Sequence, residues 1–327
     1  MVARDILDIF TQFESELGMV ESELSQHITS SQPDLHEICE YLSRLRGKRF
    51  RPLVVILSYK VVGGKEVEEI IPLASALELI HTATLIHDDI NDNSTLRRGH
   101  ETVYNKFGMS KALIMGDYLF SIGFKLGGSY GKNIVELVAE LSTKLAEGEF
   151  IHLRNARNPS LDESTYLDII ERKTSGPIIG GAKIGAIVGK GTPEAVETMG
   201  HYGRNLGMAF QIIDDILDIT GTAEQIGKPV SADLKNGKLT LPIIYALEEL
   251  EGEPNKKLIQ VIENDNVDDG ALQEAIEIIK STNSIANAKA KADSKIEEAL
   301  KVIEHFESNE YYQSLVDLAK YTVDRDY

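Results

Sequence analysis

The chain has 327 residues, of which 42% are apolar and 26% charged, so it can bury a sizeable core. Its 52 Asp and Glu residues outnumber its 34 Lys and Arg residues, and the net charge of −18 disfavours nucleic acid or an anionic membrane surface as a partner. The single cysteine, Cys39, excludes an intrachain disulfide and a cysteine metal cluster, and it fits a cytoplasmic location. The N-terminus lacks a signal-peptide core, and the most apolar stretch, residues 176–189, is too short for a transmembrane segment.

Helical periodicity dominates the chain, and no segment alternates apolar and polar residues long enough to predict a sheet. Prolines and glycines fall mostly between the periodic runs, and no long linker or low-complexity tract divides them. The sequence therefore predicts an all-α fold in which roughly a dozen helices form a single domain over residues 1–327.

A basic segment at residues 44–52 is the first notable feature in chain order, and it contains Lys48 and Arg51. A run of this kind is usually a solvated surface or the end of a helix. Arg97 and Arg98 form a second basic pair, a few residues beyond an acidic cluster and close enough to reach the same ligand.

Two helices carry clusters of aspartates where apolar residues are expected. Residues 73–90 and 206–219 are apolar almost all round, which is typical of central helices. The clusters are Asp88, Asp89 and Asp92 on the first helix and Asp214, Asp215 and Asp218 on the second. In each cluster the first and last aspartates are four residues apart, so their carboxylates share a helix face and repel each other.

A cation would offset this repulsion. Mg²⁺ suits the role because proteins typically hold it with one or two carboxylates together with substrate phosphates. The clusters therefore predict a diphosphate site in which bridging magnesium ions join the carboxylates to the ligand. A solvated acidic face or a helix cap is the alternative for either cluster taken alone.

Basic residues accompany both clusters. His81 lies two helical turns before Asp88 and points the same way, so a ligand-binding role and a structural role are equally open. His87 is expected to pack or to form a hydrogen bond. Arginine and lysine bind phosphate oxygens well, which suits a second anionic ligand bound without metal. Lys228 and Lys238 follow the second cluster, and Lys173 lies in the middle of a helix, just before a run of small residues.

Between about residues 46 and 242, these motifs and their order resemble the polyprenyl synthetase family, the trans-isoprenyl diphosphate synthases. Arg46 departs from the family, many members of which have glycine there. The resemblance implies the isoprenoid synthase fold, with helices around a central substrate cavity, and a homodimer. It also implies a prenyltransferase that joins isopentenyl diphosphate to an allylic prenyl diphosphate with the help of three Mg²⁺ ions. The products would be all-trans polyprenyl diphosphates.

The resemblance also assigns roles to the motif residues. Isopentenyl diphosphate would be bound by Lys48, Arg51, His81 and Arg98. The allylic diphosphate would be bound by Arg97, Lys173, Lys228 and Lys238. The metal ligands would be Asp88, Asp92 and Asp214, supported from behind by Asp89, Asp215 and Asp218. The reacting end of the allylic substrate would lie beside Lys173, Thr174 and Gln211, and the released diphosphate would accept the proton, so that no protein base is required.

The length of the product is expected to depend on Ala83 and Thr84. By the resemblance these residues line the tail channel, and Ala83 lies roughly 7 Å below Asp88 along the helix. Short-chain synthases place an aromatic floor there, so a small residue predicts a product of twenty-five carbons or more, with geranylgeranyl diphosphate as the alternative. Ile80, one turn lower, is a candidate for a later floor. A simple packing role for Ala83 stays open.

Three other classes compete with this interpretation. A helical nucleotide pyrophosphatase also uses carboxylates and magnesium but does not require two apolar-embedded clusters. A terpene cyclase would carry an Asn/Ser/Glu metal triad in place of the second cluster. A non-catalytic regulatory subunit of a heteromeric synthase typically lacks one aspartate motif, whereas this chain has both.

The chain beyond about residue 252 carries no chemical motif. Its acidic loop, residues 263–269, lacks the glycine and the terminal glutamate of a calcium loop, so we expect a solvated connection. Residues 285–306 have one apolar stripe, which predicts an outer helix.

Overall fold

The computed structural model describes residues 6–45, 47–222 and 231–324. These residues are almost entirely helical, so the predicted all-α class is confirmed. The α-helices are α1 (Ile6–Gln12), α2 (Glu14–His27), α3 (Pro33–Ser43), α4 (Phe50–Val61), α5 (Ile71–Asn91), α6 (Val103–Phe107), α7 (Met109–Gly127), α8 (Lys132–Arg154), α9 (Glu163–Ile170), α10 (Gly176–Val188), α11 (Pro193–Thr220), α12 (Ala232–Lys235), α13 (Leu241–Glu249), α14 (Gly252–Glu263), α15 (Asp269–Lys280), α16 (Ser284–Ile303) and α17 (Glu310–Asp324).

The helices number more than the dozen predicted, because elements as short as α6 and α12 leave no periodic pattern in the sequence. Pro33 and Pro193 are the first residues of α3 and α11, where the missing N–H has no intrahelical partner to lose. Within the described residues, no helix is long and apolar enough to cross a bilayer.

The chain divides into two compact units, each built from three segments. The first comprises Met1–Glu140, Pro177–Gly203 and Val302–Leu318. The second comprises Leu141–Gly176, Arg204–Lys301 and Ala319–Tyr327. A single domain over residues 1–327 stays a prediction.

Helix α5 lies at the centre of the first unit, where it packs against α2, α4 and α7. Leu73, Leu79 and Ala83 are among its many fully buried residues, which confirms the central helix predicted from its apolar circumference. The first aspartate cluster lies at the C-terminal end of α5.

A small hairpin follows α5 and was not predicted. Strand β1 (Leu96–Arg97) pairs antiparallel with β2 (His100–Glu101), and two residues connect them. These residues, Arg98 and Gly99, have φ values of 53° and 76°, as a type I′ turn requires at both central positions. Strands of two residues are too short to alternate visibly, so the sequence carries no signal for them.

The second unit contains a π-helical segment, Glu171–Ser175, directly after α9. The Gly176 N–H donates to the Glu171 carbonyl, five residues back, which defines the π turn. Such turns are rare and frequently occur at functional sites. Helix α13 packs against α9 and α15, and α14 packs against α12 and α15. In α16 one stripe is buried, as predicted for an outer helix; in this unit it comprises Ala288, Ala292, Ile296 and Ala299.

Candidate active site

The first aspartate cluster contains one carboxylate that is buried and two that are partly exposed. Asp89 is 4% exposed, whereas Asp88 and Asp92 reach the surface in part. Nε and Nη2 of Arg97 both contact Oδ1 of Asp89, at 2.9 and 2.7 Å. Burial raises the pKa of Asp89, and the Arg97 guanidinium opposes that rise. Arg97 therefore holds Asp89 in this structure, and its predicted contact with an allylic diphosphate stays a prediction.

The predicted isopentenyl diphosphate residues begin to converge at α4 and α5. Nη1 of Arg51 lies 2.8 Å from Nε2 of His81. A guanidinium has only donors, so Nε2 accepts and the neutral ring carries its proton on Nδ1. Burial lowers the pKa of His81 well below its ordinary value, and the charges of Arg51, Arg98 and Arg97 lower it further. Several cations thus face a neutral imidazole, which favours an anionic ligand here.

The tip of the hairpin meets the loop that precedes α4. A Cβ on Gly47 would lie 2.7 Å from Nη1 of Arg98, so the end of the arginine side chain approaches this backbone closely. Lys48 follows Gly47 directly, and both Lys48 and Arg98 are exposed. The structure therefore brings Arg51 close to His81, and Arg98 close to the backbone beside Lys48. The roles of these residues in binding isopentenyl diphosphate stay predictions.

Arg49, between two predicted ligand-binding residues, has a different position. Its φ of 55° turns the side chain inward, where it is 15% exposed. Its Nε lies 2.5 Å from Oε1 of Glu21, and its Nη1 lies 2.7 Å from Oε1 of Glu78. Burial would lower the pKa of Arg49, but the two carboxylates raise it overall. Arg49 therefore anchors the loop that precedes α4. The sequence does not reveal this role, because Arg49 is one of several basic residues in a row.

The second aspartate cluster also contains both buried and partly exposed carboxylates. Asp215 and Asp218 are 3% and 2% exposed, whereas Asp214 is partly exposed. Tyr166 Oη donates to Oδ2 of Asp215 at 2.6 Å, and Gln211 Nε2 donates to Oδ1 at 2.7 Å. Burial and the charge of Asp233 raise the pKa of Asp215 well above its ordinary value, against these two hydrogen bonds.

Backbone N–H groups hold Asp218, the last aspartate of the second cluster, in place. Its Oδ2 accepts from the N–H of Asp233 at 3.2 Å, and its own carbonyl accepts from the N–H of Ser231 at 2.8 Å. Burial thus separates the aspartates predicted as direct ligands from those predicted to support them. The ligand roles themselves stay predictions.

The π segment carries two of the predicted reaction-centre residues. Lys173 forms an ion pair with Glu149 of α8, and Thr174 Oγ1 donates to Oε1 of Gln211 at 2.9 Å. Gly148 and Gly207 allow α8 and α11 to approach the segment, because a Cβ on either would lie 2.8 or 2.7 Å from its atoms. Three predicted residues, Lys173, Thr174 and Gln211, therefore meet.

His152 lies in the same region. Burial and the charges of Lys173 and Lys238 lower its pKa to about 4, although Glu149 and Asp233 act in the opposite direction. Lys173 and Lys238 therefore both act on His152, and their contact with an allylic diphosphate stays a prediction. Neither Glu149 nor His152 carries a sequence signal, since each looks like an ordinary polar residue of α8. Lys228 lies outside the described residues.

Of the predicted chain-length residues, Ile80 lines an apolar crevice, whereas Ala83 and Thr84 are not among the residues that line it. Ala83 is fully buried, and Thr84 Oγ1 donates to the His81 carbonyl at 2.7 Å. Ile80 lines a narrow apolar crevice that continues to Leu73, two turns further from Asp88. Its role as a later floor of the tail channel stays a prediction. The crevice is lined by Leu73, Ala76, Leu77 and Ile80 of α5, Gly123, Phe124 and Gly127 of α7, and Ile134, Val135 and Val138 of α8.

His87 packs, as predicted, with Nε2 3.2 Å from the Leu113 carbonyl and its ring stacked on Phe120. Within residues 6–45, 47–222 and 231–324, no three His, Cys, Asp or Glu side chains gather as a ready-made metal site. The partly exposed donors are carboxylate oxygens, the type that Mg²⁺ binds together with substrate phosphates. The accessible carboxylates of each cluster, taken separately, therefore fit that ion.

A model of the polyprenyl synthetase family matches residues 32–279. The chain belongs to this family. It is 31% identical to octaprenyl diphosphate synthase of Escherichia coli (strain K12), over 95% of this chain and 96% of that protein. It is 32% identical to a short chain isoprenyl diphosphate synthase of Methanothermobacter thermautotrophicus, over 99% of both chains.

Among solved structures, a polyprenyl synthase from Caulobacter crescentus CB15, complexed with calcium and isoprenyl diphosphate, superposes with a TM-score of 0.95. The two chains are 28% identical, and the match covers 99% of each. The predicted isoprenoid synthase fold and prenyltransferase class are confirmed.

Replacing His152 should make the metal-free protein less sensitive to acid. The unfolded histidine takes up a proton near pH 6.5 and the folded one only near pH 4, so the folded state loses stability as pH falls through that window. At pH 5 the loss is about 2 kcal/mol, and His152→Gln should lack it. Denaturant unfolding at pH 7 and pH 5 measures the difference.

The exposed His305 provides the matched control, since His305→Gln should retain the wild-type pH dependence. An equal loss of stability in wild type and His152→Gln would contradict the assignment of a buried, neutral His152.

Proposed function

We propose that this protein condenses isopentenyl diphosphate with an allylic prenyl diphosphate and releases an all-trans polyprenyl diphosphate of twenty-five carbons or more. The observation that carries the proposal is the division within each aspartate cluster. Some carboxylates are buried and held by donors, while Asp88, Asp92 and Asp214 remain accessible. Family membership supports the same reaction.

Asp88, Asp92 and Asp214 would supply the protein oxygens for three Mg²⁺ ions on the allylic diphosphate. When bound, these ions supply Lewis-acid stabilisation of the negative charge on the departing diphosphate. Their neighbours Asp89, Asp215 and Asp218 would keep the ligand-bearing turns in place. The calcium and isoprenyl diphosphate named for the Caulobacter crescentus structure, which belong to that protein, support a divalent metal.

The basic cluster of the first unit would bind isopentenyl diphosphate without metal. Lys48 and Arg98 are exposed cations, and Arg51 lies beside the neutral His81. A diphosphate bound here would offset the mutual repulsion of these cations. Charge-assisted hydrogen bonds from guanidinium groups to phosphate oxygens are strong and geometrically specific.

Lys173, Thr174 and Gln211 would surround the reacting carbon of the allylic substrate. Glu149 fixes the ammonium of Lys173, and the Gln211 amide is held between Thr174 and Asp215. This preorganised polar wall would stabilise the allylic cation while the double bond of isopentenyl diphosphate attacks it. The released diphosphate would accept the proton, so no protein base is assigned.

The prenyl tail would run along α5 towards the apolar crevice. The similar proteins differ in the chain length that their names give, octaprenyl for one and short chain for another, so the length must be argued from this chain's own residues. Small residues at Ala83 and Thr84, and a crevice that continues below Ile80, favour a long product.

Purified protein supplied with both substrates and Mg²⁺ should form polyprenyl diphosphates, detected by mass analysis. Asp88→Asn and Asp214→Asn should each lower kcat/KM roughly a hundredfold, because several kcal/mol of charge stabilisation is lost. Asp293→Asn, an exposed aspartate paired with Lys289 on α16, serves as the control and should retain activity. Absence of prenyl products from wild type, or full activity of Asp214→Asn, would overturn the proposal.

Aromatic substitutions at two depths should shorten the product in a graded way. Ala83→Phe, nearer Asp88, should give the shortest product, and Ala76→Phe, about 10 Å further along α5, an intermediate one. Lys125→Phe, exposed on α7 and turned away from the crevice, should leave the product unchanged. Circular dichroism must first confirm that the variants fold. Equal product lengths in all four proteins would refute the path of the tail.

We also propose that the protein is a homodimer, formed through the exposed apolar face of α7. Met109, Leu113 and Ile114 are 56%, 50% and 59% exposed, and Phe124 and Val135 add to this face. Contiguous exposed apolar surface commonly marks a protein interface. A cytoplasmic location stays a prediction.

Light scattering on the purified protein should give the mass of two chains. The double variant Leu113→Glu/Ile114→Glu should give the mass of one, because four buried charges would face each other across the interface. Glu substitution of Lys256 and Gln260, which are exposed on α14 and not on this face, provides the control. A wild-type monomer at micromolar concentration would refute the homodimer.

A further inference from the structure

Arg157, in the loop after α8, contacts four residues through its guanidinium group. Its Nη1 donates to the carbonyls of Ile262 and Asn264, at 3.0 and 2.6 Å. Its Nε lies 2.6 Å from Oδ1 of Asp265, and its Nη2 lies 3.4 Å from the Lys235 carbonyl. Ile262 and Lys235 lie in the last turns of α14 and α12, where carbonyls lack intrahelical partners.

The same residue fixes the turn that carries Lys238. The N–H of Arg157 donates to the Gly237 carbonyl at 2.7 Å. Gly237 has a φ of 70°, and a Cβ there would lie 2.3 Å from Cγ of Arg157, so the arginine stem packs directly on the turn. The N–H of Lys238 donates to the Asp233 carbonyl at 2.8 Å, which ties Lys238 to the segment that contacts Asp218.

Residues 231–238 are therefore held at both ends. At one end, Asp218 of the second cluster accepts from Ser231 and Asp233. At the other end, Arg157 joins Gly237 to Ile262 in the last turn of α14 and to Asn264 and Asp265 of the acidic loop. That loop is largely exposed, as predicted, but it also anchors Arg157.

We infer that Arg157 is a positioning residue for Lys238, placing its ammonium beside Lys173 and His152 for the allylic diphosphate. Arg157 itself would touch no substrate. Lys238 lowers the pKa of His152 in the structure, which supports its placement there. The inference rests on the proposed function only in naming the ligand, since the placement of Lys238 is a property of the unliganded protein.

Two measurements test the inference. In steady-state kinetics, Arg157→Ala and Lys238→Ala should each lower kcat/KM for the allylic diphosphate roughly tenfold or more, because a hydrogen-bonded charge is lost or misplaced. If Arg157 acts through Lys238, the double variant should be no worse than Lys238→Ala. A decrease in the double variant equal to the product of the two single effects would overturn the inference.

The second measurement needs no substrate. The NMR titration of His152 in the metal-free protein, assigned with His152→Gln, should give a pKa that rises towards 6.5 in both Arg157→Ala and Lys238→Ala. An unchanged His152 pKa in Arg157→Ala, with a shifted one in Lys238→Ala, would also overturn the inference. Failure of the wild type to form any product would instead contradict the proposed function and leave this titration valid.

Lys257→Ala is the matched control, because it removes a cross-helix ion pair with Glu274 in the same unit without touching the Lys238 turn. It should change neither kcat/KM nor the His152 titration. If Arg157→Ala fails to fold, Arg157→Lys and Asp265→Asn replace it in both measurements. Each of these variants retains some of the contacts of Arg157. Each should therefore lower kcat/KM and raise the pKa of His152 by smaller amounts than Arg157→Ala.

Discussion

The structure depends on how apolar helices accommodate negative charge. A carboxylate taken out of water is costly unless donors surround it. Arg97 donates hydrogen bonds to Asp89, and Tyr166 and Gln211 donate to Asp215. The backbone N–H of Asp233 donates to Asp218. At least one donor holds each of these buried carboxyl groups, whereas Asp88, Asp92 and Asp214 are partly exposed. The chemistry of the site follows from this division.

Local backbone geometry places the cations that accompany the carboxylates. The type I′ hairpin directs Arg97 inward and Arg98 outward, and the left-handed conformation of Arg49 separates it from its basic neighbours. The π turn brings Lys173 and Thr174 to Glu149 and Gln211. A protein with a net charge of −18 can therefore present positive potential to a diphosphate, because a few cations converge while the excess acid is spread over its surface.

Much of the fold could be predicted, because long helices repeat their apolar residues every three to four positions. The central position of α5 and the outer position of α16 both follow from that pattern. The hairpin, the π turn and helices of four or five residues could not be predicted, since none is long enough to impose a period. The exposure of the acidic loop follows from its composition, but its contact with Arg157 does not. The Asn264 carbonyl and Asp265 bind an arginine more than a hundred positions away.

The sequence by itself determined the class of chemistry. Carboxylates four residues apart share a helix face whatever the surroundings, and such a pair on an apolar helix requires a cation. Only the tertiary structure decided which aspartates are buried, why His81 and His152 are neutral, and which arginines are anchors. These properties depend on burial and on donors supplied by distant segments, and no local spacing encodes them.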